Sequence, residues 1–383
     1  MADFTEVLDR PILWQDNNFN WFTIIGGTET FVGRGREVPY PLGEDDCWTL
    51  PNGKTFLYKN GKIKFIESLD HNTKIKECLE NLYEKFEESF LYSDPLGFVH
   101  KFDKKRDIEI AGFIAAGFAF GNVSQILKIL AQIDKIVGHN FYDFTLNFKV
   151  EDGFKQFKGI YYRFIKENDF VALFYILSEI IKQYGSIENF FMEGYISHAL
   201  NLKEAIVSFT ERALKLADYE KIYGSHASHT LKQNSSENIS KNTAEKLHPE
   251  LPDKSDKFMV SYFFTSPADN SPCKRLNLYL RWMVRNTDNL DFGIWSKISP
   301  SQLIMPVDTH IARICTYIGL TDIKNPSFKM ALQITENLKK LDYFDPIKYD
   351  FAITRLGILD LCTKSKKKDN CEKCSIFNIC KLD

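Results

Sequence analysis

Four of the eight cysteines lie in the last 22 residues of the 383-residue chain, with the spacing C-x8-C-x2-C-x5-C. Such clustering favours a metal site, because thiolates are ligands of zinc and of iron–sulfur clusters. Zinc folds commonly pair two C-x2-C motifs and this segment has one, so the spacing favours a 4Fe–4S cluster, with zinc or four unrelated thiols as alternatives. The predicted ligands are Cys362, Cys371, Cys374 and Cys380.

Charge and hydropathy narrow the class of protein. The formal net charge of −2 argues against a mainly electrostatic nucleic-acid binder, although a basic face remains compatible with it. No N-terminal stretch has the charged start and apolar core of a signal peptide. The longest apolar run, residues 108–120, is too short to cross a membrane. We therefore expect a cytoplasmic protein without membrane contact, in which structural disulfides are not expected.

Helical periodicity dominates the chain after residue 68, and the predicted fold class is all-α. Residues 1–68 instead form a predicted β-rich extension of unknown role, with a hairpin turn at Asn60-Gly61. Residues 224–257 are rich in Ser, Asn, Lys and Glu and predict a flexible insertion in the helical region 69–360, which residues 361–383 follow as the cysteine loop. The main predicted helices span 106–120, 124–137, 169–184, 196–217, 273–285, 309–318, 328–341 and 346–359.

Two charged residues stand at predicted helix starts. Asp308, in Pro306-Val-Asp-Thr-His310, is by itself an ordinary helix N-cap. Lys274 falls in the first turn of a helix that Pro272 can start. The positive end of that helix disfavours a protonated amine and so favours a nucleophilic lysine, although a solvent-facing or phosphate-binding lysine is the alternative.

Basic residues near these positions are candidate DNA contacts. Arg275 and Arg281 follow Lys274 on its helix, and Lys366 and Lys367 lie in the first gap of the cysteine motif, where a solvated charge run is the alternative. Arg285 is a candidate for either a phosphate or an acidic partner.

The aspartate string and the cysteine loop resemble those of the helix-hairpin-helix DNA glycosylases. Val307-Asp-Thr-His310 is similar to their catalytic motif, and the cysteine spacing is similar to the iron–sulfur loop of the endonuclease III branch, whose first gap is two residues shorter. The resemblance implies a two-lobed helical fold in which Asp308 stabilises positive charge on the sugar and Lys274 forms a Schiff base at C1′. It gives His310 a packing or hydrogen-bonding role. The family's hairpin motif has no counterpart between Ser261 and Pro306, and the long interval from Lys274 to Asp308 is more similar to the archaeal 8-oxoguanine branch.

A larger part of the chain, from about residue 72 to 358, resembles the bacterial DUF2400 family. The shared stretches are Asp107-Ile-Glu-Ile-Ala-Gly112, Phe157-Lys-Gly-Ile160, Tyr184-Gly-Ser-Ile-Glu188, Asp291-Phe-Gly-Ile-Trp295, Ile298-Ser-Pro-Ser301 and Lys348-Tyr-Asp-Phe351.

The leading hypothesis from these resemblances is a DNA glycosylase with AP lyase activity, acting as a monomer on damaged duplex DNA, with an oxidised purine as the expected lesion. A base-modifying enzyme on the same scaffold, a non-catalytic nucleic-acid binder and a zinc-stapled helical interaction protein are the alternatives. Aromatic residues could stack on a flipped base or belong to the core. They are Trp282, Trp295, Phe118 and Phe120.

Overall fold

The computed structural model describes six strands within residues 13–66, and residues 70–86, 88–223, 259–359, 361–362, 371 and 374–381. The strands form two three-stranded antiparallel sheets. They are β1 (Leu13–Gln15), β2 (Asn20–Ile25) and β3 (Thr28–Arg34), then β4 (Cys47–Thr49), β5 (Thr55–Lys59) and β6 (Lys62–Ile66). Lys59 pairs with Lys62 between β5 and β6, so a two-residue connection joins them where a hairpin turn was predicted. The predicted insertion at residues 224–257 lies outside the described residues.

The rest of the described chain is mainly helical, as predicted, and none of its helices is long and apolar enough to cross a membrane. The longer helices match the apolar periodicity of the sequence. The described helices are α1 (Asp70–Lys85), α2 (Leu96–Val99), α3 (Lys105–Gly117), α4 (Val123–Val137), α5 (Phe141–Leu146), α6 (Val150–Gln156), α7 (Glu167–Tyr184), α8 (Ile187–Met192), α9 (Lys203–Lys215), α10 (Tyr219–Tyr223), α11 (Lys274–Val284), α12 (Thr309–Tyr317), α13 (Phe328–Lys339) and α14 (Asp350–Ile358).

Two predicted helices begin later than expected. The helix predicted at 196–217 begins at Lys203, whose backbone N–H donates to the side chain of Asn201 at 3.0 Å. The helix predicted at 346–359 begins at Asp350. Before Asp350, the apolar residues Ile347 and Tyr349 are buried in a turn, so their spacing continues the helical pattern beyond the helix itself. Before Lys203, Ile196 and Leu200 have helical spacing but are exposed.

The chain divides into two compact units. The continuous unit is Leu91–Met283, and the split unit combines Met1–Phe90 with Val284–Asp383. In the continuous unit, α7 is apolar over most of its surface and packs against α5, α6, α8 and α10. A helix that is apolar on most sides is stable only when it is surrounded, so α7 forms the centre of this unit.

The buried helix α3 carries two acidic residues that cap other helices of the continuous unit. Asp107 accepts the backbone N–H of Tyr142 at 2.9 Å, in the first turn of α5. Glu109 accepts the N–H groups of Ile187 and Glu188, at 3.1 and 2.8 Å, at the start of α8. Helix N-termini leave such N–H groups without intrahelical partners, which accounts for two buried carboxylates on an apolar helix.

In the split unit, α14 packs against both α1 and α12. The approach between α14 and α12 is close, because a Cβ atom added to Gly357 would lie 2.2 Å from Nδ1 of His310. Any side chain at this position would push the helices apart. Gly357 therefore sets the position of the α12 N-terminus relative to α14.

The guanidinium of Arg285, 1% exposed, is the main polar centre of the split unit. Its Nε and Nη2 donate to the carboxylate of Asp345 at 2.8 to 3.1 Å. Nη1 donates to Asp291, and Nη2 also donates to Asp288 at 2.9 Å. Tyr83 on α1 donates its hydroxyl to Asp288 at 2.7 Å. Of the two predicted partners for Arg285, the acidic one is present in the structure.

The Arg285 network makes the split unit sensitive to the loss of one positive charge. We expect Arg285→Met to lower the free energy of unfolding by about 3–5 kcal/mol, because it leaves buried carboxylates without their counter-charge. Urea unfolding followed by circular dichroism measures this. The control is Lys155→Met, which removes an exposed ion pair with Asp152 and should cost less than about 1 kcal/mol. Equal losses in the two variants would contradict the assigned role of Arg285.

Candidate functional site

Asp308 is the N-cap of α12, as predicted. Its Oδ1 accepts the backbone N–H groups of His310 and Ile311 at 2.8 and 2.9 Å. Its Oδ2 makes no hydrogen bond among the described residues, and the side chain is half-buried. The two N–H donors hold Oδ1 at the positive end of the helix dipole. One oxygen is therefore fixed by the backbone while the other remains available to a ligand.

The cysteine on α12, the helix that Asp308 caps, is a buried thiol. Burial raises the pKa of Cys315 on α12, and the negative charges of Asp350 and Asp308 raise it further. The ring of His310 packs on Gly357, and its Nδ1 is buried without a hydrogen-bond partner among the described residues. Of the two roles expected for His310, packing and hydrogen bonding, the contact with Gly357 supports packing.

Lys274 is the first residue of α11, at the predicted helix start. Its Nζ donates to the backbone carbonyl of Ala119 at 3.0 Å, and the side chain is half-buried. Among the described residues the amine has no carboxylate partner. Both features distinguish Lys274 from an ordinary surface lysine, which is exposed or paired with an acid.

The residue before Lys274 adopts an unusual backbone conformation. Cys273 has a φ of 46°, a value that residues other than glycine and asparagine rarely adopt, and such strain costs about 1–3 kcal/mol. Its thiol lies 3.2 Å from the carbonyl oxygen of Thr265 and 3.3 Å from that of Ser271. Burial raises the pKa of Cys273 to about 11, so the thiol is neutral at physiological pH. Lys274, not Cys273, is therefore the candidate nucleophile at this helix start.

The predicted DNA contacts at Arg275 and Arg281 do not fit their placement. Arg275 is 8% exposed and Arg281 is 2% exposed. The guanidinium carbon of Arg275 lies 3.4 Å from the centre of the Tyr262 ring, and burial lowers its pKa to about 10. A guanidinium enclosed in this way cannot reach a phosphate backbone, so neither arginine is a DNA contact in this structure. Lys366 and Lys367 lie outside the described residues.

Both ends of the cysteine segment are tied to the last turns of α12. The backbone carbonyl of Cys362 accepts a hydrogen bond from Arg313 at 3.0 Å. The backbone N–H of Lys381, next to Cys380, donates to the carbonyl of Tyr317 at 2.7 Å. The short helix Phe377–Ile379 packs against α1. These contacts return the end of the chain to the helix that begins with Asp308.

The four predicted cysteine ligands are half-buried and are not joined by disulfides. Burial raises the pKa of Cys362, Arg313 opposes this, and negative charge on Cys374 and Cys380 raises it further. Burial likewise raises the pKa of Cys374, and negative charge on Cys380 and Cys371 adds to it. Cys374 is thus within electrostatic range of the other three thiols. As placed, no group of three metal-binding side chains in the described part of the chain could hold an ion, while the four thiols match a thiolate-bound zinc or iron–sulfur site in the kind of donor they supply.

Three of the four candidate stacking residues belong to the core. Trp282, Trp295 and Phe118 are fully buried, while Phe120 is half-buried next to Ala119. The sequence interpretation missed residues 158–166, where Tyr161 and Phe164 are exposed. Their signal was present in the alternation of aromatic and basic residues in Lys158-Gly-Ile-Tyr-Tyr-Arg-Phe-Ile-Lys166.

Comparison with known proteins gives one family match. The family model described as Protein of unknown function (DUF2400) matches residues 94–237 and 214–359, which together cover more than half of the chain. No curated protein and no solved structure matches the chain.

The cap geometry separates the structural role of Asp308 from any chemical role. We expect Asp308→Asn to keep the unfolding free energy within about 0.5 kcal/mol of wild type, because an asparagine oxygen caps a helix as well as aspartate does. Asp308→Ala should lose about 1 kcal/mol, because the N–H groups of His310 and Ile311 lose their acceptor. Urea unfolding of the three proteins measures both values. Equal losses for Asn and Ala would show that the hydrogen bonds at Oδ1 do not set the stability of α12.

Proposed function

The chain belongs to the DUF2400 family, as its motifs predicted, and we propose that it is a DNA glycosylase in which Asp308 and Lys274 carry the chemistry. The observation that supports this most is the carboxylate of Asp308, fixed through Oδ1 by two backbone N–H groups and without a partner at Oδ2 among the described residues. Capping the helix uses only Oδ1 of Asp308, so Oδ2 is available to a substrate.

Asp308 has an electrostatic role in this proposal. When the bond between C1′ and the base nitrogen breaks, its electron pair leaves with the base and positive charge develops on the sugar. An ionised carboxylate beside that sugar lowers the energy of the charged transition state, and a carboxylate already held by the backbone needs little reorganisation to do so. The base takes up one proton as it leaves.

Lys274 has the nucleophilic role. The lone pair of a neutral Nζ forms a bond to C1′ as the base departs, and opening of the sugar ring then gives an imine between Nζ and C1′. Loss of a proton from C2′ expels the 3′ phosphate, which is the lyase step. Nζ of Lys274 donates to a backbone carbonyl and has no carboxylate partner in the described residues, so no ion pair has to be broken before the first step.

The cysteine segment has a structural role in the proposal. Cys362, Cys371, Cys374 and Cys380 would hold a 4Fe–4S cluster, with zinc as the alternative. The bound group would supply metal-dependent folding energy, which closes the C-terminal segment onto α12. The positive charge of Arg313, which opposes the rise in the pKa of Cys362, would offset part of the negative charge of four thiolates.

The proposed substrate is a damaged base in duplex DNA, with oxidised purines as the first class to test, and the proposed active species is a monomer. The damaged nucleotide would be turned out of the duplex, because the bond to be cut is inaccessible in a stacked pair.

Borohydride trapping tests the role of Lys274. We expect wild-type protein to form a covalent adduct with a duplex that contains the correct lesion, because borohydride reduces the imine at Nζ to a stable amine. Lys274→Ala should form none, while Lys182→Ala, which removes an exposed lysine of α7, should behave as wild type. No adduct and no base release with any damaged duplex would refute the lyase proposal and favour base modification or simple nucleic-acid binding.

Replacing one cysteine tests the metal site. We expect purified wild-type protein to absorb near ~400 nm, as thiolate-bound iron–sulfur clusters do. Cys371→Ser should lose this band and most of its solubility, because folding of the segment depends on the metal. Cys78→Ser is the matched control, since Cys78 is a half-buried thiol of α1 outside the cysteine segment. A colourless, well-folded wild-type protein that contains zinc would exclude the iron–sulfur assignment.

A further inference from the structure

A loop of the continuous unit presents aromatic and basic side chains together. Tyr161 is 73% exposed and Phe164 is 40% exposed. Lys158, Arg163 and Lys166 are also exposed. Exposed rings interleaved with cations match the two chemical parts of a nucleotide strand, because bases stack on rings and phosphates pair with cations.

The backbone of this loop holds Arg163 and Phe164 at the tip of a tight turn. Tyr162 and Ile165 exchange two backbone hydrogen bonds of 2.9 Å, which leaves two residues between them. Arg163 has a φ of 56°. Two-residue turns with positive φ usually contain asparagine or glycine, so this chain keeps a long cationic side chain where the backbone disfavours it. Such strain is frequent at sites that bind a ligand.

The loop is anchored to the segment that holds the amine of Lys274. The hydroxyl of Tyr162 donates to the carbonyl of Phe120, and Nζ of Lys274 donates to the carbonyl of Ala119, which is the preceding residue. Two consecutive carbonyl groups therefore bind the loop and the candidate nucleophile. The loop is fixed beside Lys274 by contacts within one unit.

The exposed ring of Phe164 continues an aromatic stack. Its centroid lies 5.5 Å from that of Phe120, with an angle of 21° between the ring planes. Tyr262 meets both rings edge-on, at 5.0 and 4.8 Å. A ring supported in this way loses little side-chain entropy when a base stacks on it.

The charge around these rings is positive and little neutralised. The guanidinium carbon of Arg163 lies 5.7 Å from the centre of the Phe120 ring, and Arg163 has no carboxylate partner among the described residues. The carboxylate of Glu167, the acidic residue next to the loop, accepts the backbone N–H of Gly159 at 2.9 Å. A surface hollow of about 370 Å³ adjoins Tyr161, lined by Gly159, Ile160, Tyr161, Lys166, Glu167 and Asn168.

We propose that residues 158–166 are a stacking surface for unpaired nucleotides of a DNA strand, placed beside the amine of Lys274. Tyr161 and Phe164 stack on bases, and Arg163 pairs with phosphate. The proposal rests on the proposed function for its choice of DNA as the occupant.

Fluorescence anisotropy with a labelled single strand of about 12 nucleotides tests the stacking, since this length covers a typical single-strand site. We expect Tyr161→Ala and Phe164→Leu each to raise Kd about tenfold, the effect of losing one base–ring contact. Phe164→Leu keeps an apolar side chain against Phe120, so the loop should stay folded. Tyr92→Ala is the control, because Tyr92 is 76% exposed in the same unit but outside the loop, and its Kd should equal that of wild type.

Arg163→Gly tests the strained turn with two readouts. Glycine adopts positive φ without strain, so the melting temperature should equal or exceed that of wild type. Binding should weaken, and the slope of log Kd against log salt concentration should fall by about 0.7, the value for one lost phosphate contact on a single strand. A lower melting temperature with unchanged binding would assign Arg163 a structural role only and overturn its place in the surface.

Two results separate this inference from the proposed function. If wild type does not bind the strand, or if Tyr161→Ala and Phe164→Leu bind it as tightly as wild type does, the stacking surface is overturned; base release and borohydride trapping then decide the glycosylase proposal independently. Weaker binding by both variants, together with no base release and no adduct on any damaged duplex, upholds the surface and overturns the glycosylase proposal.

Discussion

The buried guanidinium of Arg285 is the interaction on which the split unit depends. This unit is made from two distant stretches of chain, and Arg285 is the second residue of the second stretch. Its carboxylate partners lie just downstream at Asp288 and Asp291 and sixty residues away at Asp345, and Tyr83 on α1 completes the network from the first stretch. Asp345 precedes α14, which packs on α12, so the network also stabilises the frame that carries Asp308.

The two side chains that carry the proposed chemistry both stand at helix starts. Asp308 precedes α12 and Lys274 opens α11, and both side chains are half-buried. The N–H groups of a helix start attract a carboxylate, and at α12 they donate to Oδ1 of Asp308. At α11 the amine of Lys274 instead donates to the carbonyl of Ala119. At the start of α5, the same kind of N–H group donates to the buried carboxylate of Asp107, which has a structural role only. Asp107 is only 6% exposed, whereas Asp308 is half-buried and can be reached by a ligand.

The sequence was sufficient for features that depend on neighbours along the chain. Apolar periodicity located most helices, and cap preferences placed Asp308 and Lys274 at helix starts, because both signals act within one or two turns. Features set by distant residues could not be predicted. The sequence suggested Arg275 as a phosphate contact, but in the fold the rings of Tyr262 and Phe120 cover its guanidinium. The cap formed by Glu109 likewise depends on α8, which lies 78 residues away in the sequence. The alternating aromatic and basic residues of 158–166 form one exposed surface only because of the turn between Tyr162 and Ile165, and the sequence did not predict that turn.

In the proposed function, Asp308 acts through the charge of its carboxylate and not through the fold. Single-turnover base release from a panel of damaged duplexes, compared between wild type and Asp308→Asn, tests this role. We expect wild type to release one class of base, and the asparagine variant, equally stable and still bound to DNA, to release it at least about 100-fold more slowly, the scale for loss of one electrostatic transition-state contact. Equal rates in the two proteins would refute the role of the charge, because the neutral amide keeps the helix cap and removes only the charge.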